Sequence, residues 1–299
     1  MNDKSNAYLI KISLISSITV SIVILLLKVY ALIVTSSVSI LASLIDSGLD
    51  FSVSIMNYIA VKYALEPPDH NHRFGHDKIQ DMAIFLQSIF FFGSGVFAII
   101  AAIRHYIYQH EIESAPIAIF IMLISIMITL ILLLFQTYVI KKTSSNLIKA
   151  EKLHYLTDLC TNFVVIIGVY FGKDYPIIDV ILGGLIAFYI IYGSYQLLKS
   201  SIKNLMDEEF DDEEKARIVG IISNFKEVKG LHDLKTRKAG DRSFIQFHLE
   251  LDGDMLLKES HEIAEKIMYA IKNIFTNAEI IIHQDPEGVE EHVQYRESL

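Results

Sequence analysis

The sequence predicts a membrane protein in two parts, an all-α transmembrane domain of six helices followed by a C-terminal cytoplasmic α+β domain. Three observations carry this. The 299 residues are 52% hydrophobic and only 20% charged, with a mean hydropathy of +0.41, which is too apolar for an ordinary soluble protein. Charge is unevenly spread: residues 1–206 hold 14 Lys+Arg and 13 Asp+Glu, whereas 207–299 hold 12 and 22, so about 13% of the first part is charged against about 37% of the second. Six apolar stretches of bilayer-spanning length fill the first part. We divide the chain into a transmembrane domain (1–206), a soluble acidic domain (207–292) and a tail (293–299).

The spans run about 8–34, 37–65, 80–108, 114–140, 145–172 and 177–203. The N-terminus MNDKSNAYLIKIS leads into the first with no A-x-A-type cleavage site, and it reads as a retained helix. The short link at Thr35-Ser36-Ser37 makes the first two spans an antiparallel hairpin. Links near Asp69–Lys78 and Lys141–Lys152 carry most of the basic residues, so the positive-inside rule puts them in the cytoplasm, with the links near Thr35, Glu111 and Lys173-Asp174 outside. Both termini are then cytoplasmic. Lys28 sits near the outer end of the first span, where its side chain can snorkel to the interface or form an ion pair.

After Met206 the continuous apolar runs give way to short periodic segments. Asp211-Asp212-Glu213-Glu214 opens a helix to about Phe225, its acidic first turn matching the helix dipole. Leu231–Arg237 and the alternating Phe244–Leu251 read as strands, Lys258–Phe275 as an amphipathic helix and Glu279–His283 as a third strand. The order is αββαβ, and its open sheet face suggests pairing with a second copy.

One cysteine, Cys160, rules out a disulfide framework or a cysteine-rich zinc site. An acidic soluble domain argues against nucleic acid as a partner. No H-E-x-x-H or comparable hydrolytic signature is present, which argues against an intramembrane metalloenzyme; the reading as a secondary active transporter rests on the ionisable residues inside the spans.

Ionisable residues inside a span are expensive unless paired, hydrated or bound to an ion. Asp46 and Asp50 lie four residues apart in the second span, and His154 and Asp158 repeat that spacing in the fifth, which puts each pair on one helix face. If the faces meet they supply three carboxylates and one imidazole, a donor set that suits tetrahedral Zn²⁺ and also accepts Fe²⁺, Cd²⁺ or Co²⁺. The bland alternative is a set of protonated, hydrogen-bonded helix contacts around an interior histidine. Because metal binding needs deprotonated carboxylates and a neutral imidazole, such a site would exchange metal for protons.

Outside the bilayer, Asp69, His72 and His76 have spacings that can converge on one ion in a turn allowed by Pro67, Pro68 and Gly75; a solvated cationic loop fits the same residues. His70 is a further donor or a bystander. In the soluble domain His232, His248, His261, His283 and Asp285 spread over four elements, which reads as a metal cluster with Asp285 as bridge, or as scattered surface histidines. His105, His110 and His292 have no such company.

Six spans, Asp46-x-x-x-Asp50, His154-x-x-x-Asp158, Asp69-x-x-His72-Arg73-Phe74-Gly75-His76 and a terminal αββαβ unit ending Ile282-His283-Gln284-Asp285-Pro286 together resemble the cation diffusion facilitators, most closely the bacterial zinc and ferrous-iron efflux antiporters. The resemblance runs from Lys28-x-Tyr30-Ala31 through Pro286. It implies a homodimeric zinc/proton antiporter of the bacterial cytoplasmic (inner) membrane with a metallochaperone-like cytoplasmic domain. It further implies a transport site at Asp46, Asp50, His154 and Asp158, a loop site at Asp69, His72 and His76, and a regulatory binuclear site at His232, His248, His261, His283 and Asp285. Family members that move manganese tend to carry aspartate in place of the fifth-span histidine, so His154 implies zinc-like selectivity. Lys78 and Asp207 resemble a salt bridge that interlocks the two domains, although separate solvation of each fits the sequence equally. Asp77 departs from the family, where a glycine is common. A metal sensor or metal-gated channel without proton coupling is the rival reading, but a complete tetrad should hold metal until the protein moves, and a channel must release ions quickly.

Overall fold

The computed structural model describes residues 3–35, 38–108, 116–171 and 176–288. The chain divides into two compact units, Met1–Ile202 and Lys203–Leu299. The expected links around Glu111 and Lys173-Asp174, together with His110, His292 and the tail, lie outside the described residues.

Among the described residues the N-terminal unit holds six helices: α1 (Asp3–Thr35), α2 (Val38–Ala64), α3 (Lys78–Tyr108), α4 (Pro116–Thr143), α5 (Asn146–Phe171) and α6 (Pro176–Leu205), the last running on into the second unit. Proline opens α4 and α6, at the position where a missing N–H costs no helical bond. Between α4 and α5 the chain reverses at Ser144, whose φ of 56° breaks the helix. Asn6–Ile33, Lys78–Ile100 and Phe120–Thr143 are each long and apolar enough to cross a membrane. Their outward residues, such as Leu26, Phe97 and Met127, are large and exposed, as a lipid-facing surface requires.

Helix α1 packs against α2 and α4, α4 against α5, and α3 against both α2 and α5. Close approach follows from small residues. Ser13, Ser17 and Ser21 form a buried stripe along α1, and the Ser17 and Ser21 hydroxyls each lie within hydrogen-bond range of the carbonyl one turn back, which hides them from lipid. Gly95 of α3 leaves space for α6: a Cβ there would lie 2.7 Å from Ile191 Cγ1. Lys28 donates to Ser47 Oγ at 2.6 Å, so α1 and α2 are tied by a hydrogen bond near their hairpin end.

In the C-terminal unit the order is α7 (Asp212–Ile222), β1 (Gly230–Ala239), β2 (Arg242–Leu251), α8 (Leu257–Lys272) and β3 (Ala278–Pro286). Asp211 caps α7 by accepting from the Glu214 N–H at 2.8 Å, the expected use of an aspartate at that position. The sheet order is β1-β2-β3, with β1 antiparallel to β2 and β3 parallel to it; α8 makes the crossover that the parallel pair requires. Ile245, Phe247 and Leu249 of β2 pack with Ile218 and Ile222 of α7 and Ile267 and Ile271 of α8. Each such side chain contributes about 1.5–3 kcal/mol on burial. Strand β3 extends beyond the expected His283, so Asp285 lies within the sheet.

The register of β1 shifts between His232 and Lys235, and Asp233 there has φ 51°, which aspartate tolerates better than most residues. This bulge changes the parity of the strand. Leu231, Leu234 and Thr236 are all buried, while His232 pairs with His248 and so shares the opposite face of the sheet with it.

Candidate metal centres

The intramembrane cluster joins α2 and α5. His154 Nε2 lies 3.1 Å from Asp50 Oδ1 and 3.6 Å from Asp158 Oδ2. The ring is only 6% exposed and stacks on Phe91 with centroids 4.8 Å apart. One donor atom from each of these three residues lies within 4.8 Å of the others. Asp46 falls one turn earlier on α2, and its side chain lies outside the described residues. The Nε2 atom is buried and lies between two carboxylates. A metal ion would satisfy all three groups at once, so the residues present fit one.

The loop cluster is built by a tight turn. Asp69 Oδ1 accepts from the backbone N–H of Asn71 at 2.8 Å and of His72 at 2.6 Å, and Gly75 takes φ 88°. His72 Nδ1 and His76 Nε2 then lie 3.2 and 3.3 Å from the two Asp69 oxygens. The His72 N–H is the main cause that holds the Asp69 carboxyl below the usual carboxylate range, which keeps it ionised and able to bind metal. His76 is buried with both ring nitrogens lacking a hydrogen-bond partner, and it packs edge-on against Tyr63 at 4.5 Å. His70 is exposed and is not among the three residues that converge.

On the open face of the soluble sheet, His232, His248 and His283 form one row across the three strands, and Gly230, Glu250 and Asp285 form the row beside it. Asp285 Oδ2 lies 2.8 Å from His248 Nδ1 and 3.5 Å from His232 Nε2, while Oδ1 lies 3.0 Å from His283 Nε2. One carboxylate thus faces histidines with both oxygens, the arrangement of a bridging ligand. Both ring nitrogens of the buried His232 lack a hydrogen bond, and the donor set fits borderline divalent metals.

The fifth expected ligand stands apart. His261 is exposed on α8, whose Ile263, Ala264, Ile267 and Ile271 face the core. At 100° per residue it lies about 100° around the helix from the centre of that face, on its flank.

Two residues went unnoticed in the sequence. Glu250 places Oε1 3.0 Å from His232 Nδ1, within ion-pair range although off the hydrogen-bonding line. It fits because its cross-strand neighbour is Gly230: a Cβ there would lie 2.4 Å from Glu250 Oε2. Glu151 reads in the sequence as part of the charged link before the fifth span, yet it is fully buried. Its spacing from His154 and Asp158, three and seven residues, is the signal that places it on their face. Asp207 accepts from Arg237 Nη1 at 3.2 Å, and Lys78 begins α3.

Two family models match the chain. The cation efflux transmembrane domain covers residues 14–206, and the cytoplasmic domain of cation efflux proteins covers 210–287. Among curated relatives, Protein p34 of Rickettsia prowazekii is 48% identical over 99% of each chain, and the cation-efflux pump FieF of Pectobacterium atrosepticum is 36% identical over 94% of each. Among solved structures, the metal-bound C-terminal domain of the CzcD transporter from Thermotoga maritima is 29% identical with a TM-score of 0.26, covering 26% of this chain and 93% of that one. The zinc form of CzrB is 36% identical with a TM-score of 0.26, covering 29% and 99%.

Proposed function

The chain belongs to the cation efflux family, the cation diffusion facilitators, and on that premise we propose that it exports Zn²⁺ from the bacterial cytoplasm in exchange for protons. The observation that carries this reading is the buried His154 ring, with Nε2 between Asp50 and Asp158 on membrane helices. Fe²⁺, Cd²⁺ and Co²⁺ satisfy the same donors.

Asp46, Asp50, His154 and Asp158 form the transport site. In the inward-facing state the deprotonated tetrad takes metal from the cytoplasm; after the helices rock, protons entering from outside compete for the same oxygens and nitrogen, and metal leaves. Asp69, His72 and His76 form a second station on the cytoplasmic loop. His232, His248, His283 and Asp285 hold regulatory metal, whose charge would offset repulsion between the acidic domains of a homodimer. Lys78 and Asp207 are assigned to an interdomain salt bridge, following the family.

Calorimetric titration of the full-length protein with zinc tests the transport site. Asp50→Ala should lose one zinc per subunit and the proton release that accompanies it. An unchanged stoichiometry would remove Asp50 from the site.

A further inference from the structure

We propose that Glu151 is a second proton-binding site of the transport cycle, one helical turn on the cytoplasmic side of the metal tetrad. The inference rests on the antiport reading above and deepens it.

Glu151 is 0% exposed and sits where five helices meet. Its Oε2 accepts from Ser17 Oγ of α1 at 3.1 Å and from Gln136 Nε2 of α4 at 3.4 Å, and Asn57 of α2 reaches the same carboxyl. Asn57 in turn donates to Gln87 Oε1 of α3 at 3.3 Å. Tyr155 OH extends the network to Ser21 and Ser54 at 2.7 and 2.9 Å.

The hydrogen-bond inventory of this network is short of a donor. Glu151 Oε1, Asn57 Oδ1 and Gln136 Oε1 are three buried acceptors without a partner, against a single unpartnered donor atom, Gln87 Nε2. A carboxylate cannot donate, whereas a carboxylic acid can. One proton on Glu151 would therefore serve a stranded acceptor and remove an uncompensated buried charge, two costs that a low-dielectric site makes severe. The titratable groups that face it are His154 and Tyr155 on its own helix and Asp50 of α2 beyond Tyr155. Among the described residues that hydrogen-bond in this network, helices α1, α3 and α4 contribute Ser17, Ser21, Gln87 and Gln136, which stay neutral.

Position couples this proton to the cargo. With no metal in the tetrad, no cation stands near Glu151 to favour its ionised form. Arrival of a divalent cation adds positive charge about one turn away and favours ionised Glu151. The proton then leaves toward the α4–α5 link, and it returns when metal departs.

The test is the number of protons released per zinc bound by the full-length protein in weak buffer with a pH dye, comparing wild type, Glu151→Gln and Asp50→Ala. Glutamine preserves shape and supplies a permanent donor. Glu151→Gln should bind zinc with wild-type stoichiometry, release fewer protons by up to about one, and show a flattened pH dependence of flux. Wild-type proton release in Glu151→Gln, with release reduced in Asp50→Ala, would overturn the Glu151 assignment alone. Equal release from wild type and Asp50→Ala would instead remove the transport-site reading. Should Glu151→Gln fail to fold, infrared difference spectra of the wild type with ¹³C-labelled glutamate decide the matter. Glu151 is the one buried glutamate among the described residues, so a carboxylic-acid band that shifts with the label and disappears on zinc addition is expected. No such band overturns the proposal.

Discussion

Substituting Glu250 should weaken the cytoplasmic metal centre without touching its ligands. His232 is only 3% exposed, with Nδ1 3.0 Å from Glu250 Oε1 and Nε2 3.5 Å from Asp285 Oδ2. The carboxylate on one side favours a proton on Nδ1 and leaves the Nε2 lone pair aimed at the metal position beside Asp285. Losing such a partner typically lowers metal affinity about 10- to 100-fold, which is about 1.4–2.8 kcal/mol. We expect Glu250→Ala to lower zinc affinity by that amount at this centre alone, leaving the transport and loop sites as they were. Gly230→Ala should act in the same direction, because its new Cβ would stand 2.4 Å from Glu250 Oε2. Competition of the full-length protein against a chromophoric chelator resolves the sites by affinity. Unchanged affinity in both variants would refute the idea that Glu250 orients His232.

His76→Ala should remove one zinc per subunit, read by metal analysis after gel filtration, since it deletes the buried member of the loop cluster while the tetrad stays intact. His261→Ala should leave cytoplasmic zinc nearly unchanged, whereas Asp285→Ala should cost both ions that its two oxygens serve; equal loss in the two variants would show that His261 joins the cluster in the assembled protein. Replacing His154 with aspartate exchanges a borderline nitrogen for a hard oxygen and should shift flux from zinc toward manganese. Gly95→Ala crowds Ile191 and Ile190 of α6 and should destabilise the helix pair by about 1–3 kcal/mol, seen as a lower unfolding temperature in detergent.

Much of this architecture is legible in the residues because its strongest signals are local. Apolar runs of bilayer length announce the membrane helices, and alternating Phe244–Leu251 announces β2. The i, i+4 pairs Asp46/Asp50 and His154/Asp158 are visible for the same reason. What escapes depends on contacts across the sheet or between helices. Glu250 matters through Gly230 on another strand, and no spacing in the sequence reveals that register. The bulge after His232 changes which side chains face the core, so simple alternation fails along β1. His261 lies on the flank of α8, so its place in the cluster rests on the family resemblance and not on contacts within one subunit. Glu151 was hidden by its neighbours: Lys149 and Lys152 flank it, and a charge between two lysines reads as part of a link until the helix buries it.

Coupled exchange through the tetrad is tested most directly by reconstituting the full-length protein in liposomes and recording zinc and proton fluxes together. With an imposed pH gradient of either sign, zinc should move opposite to protons, follow reversal of the gradient, and stop in Asp50→Ala. Zinc that binds but does not cross, or that crosses without moving protons, would contradict the account and leave a sensor or a metal-gated channel in its place.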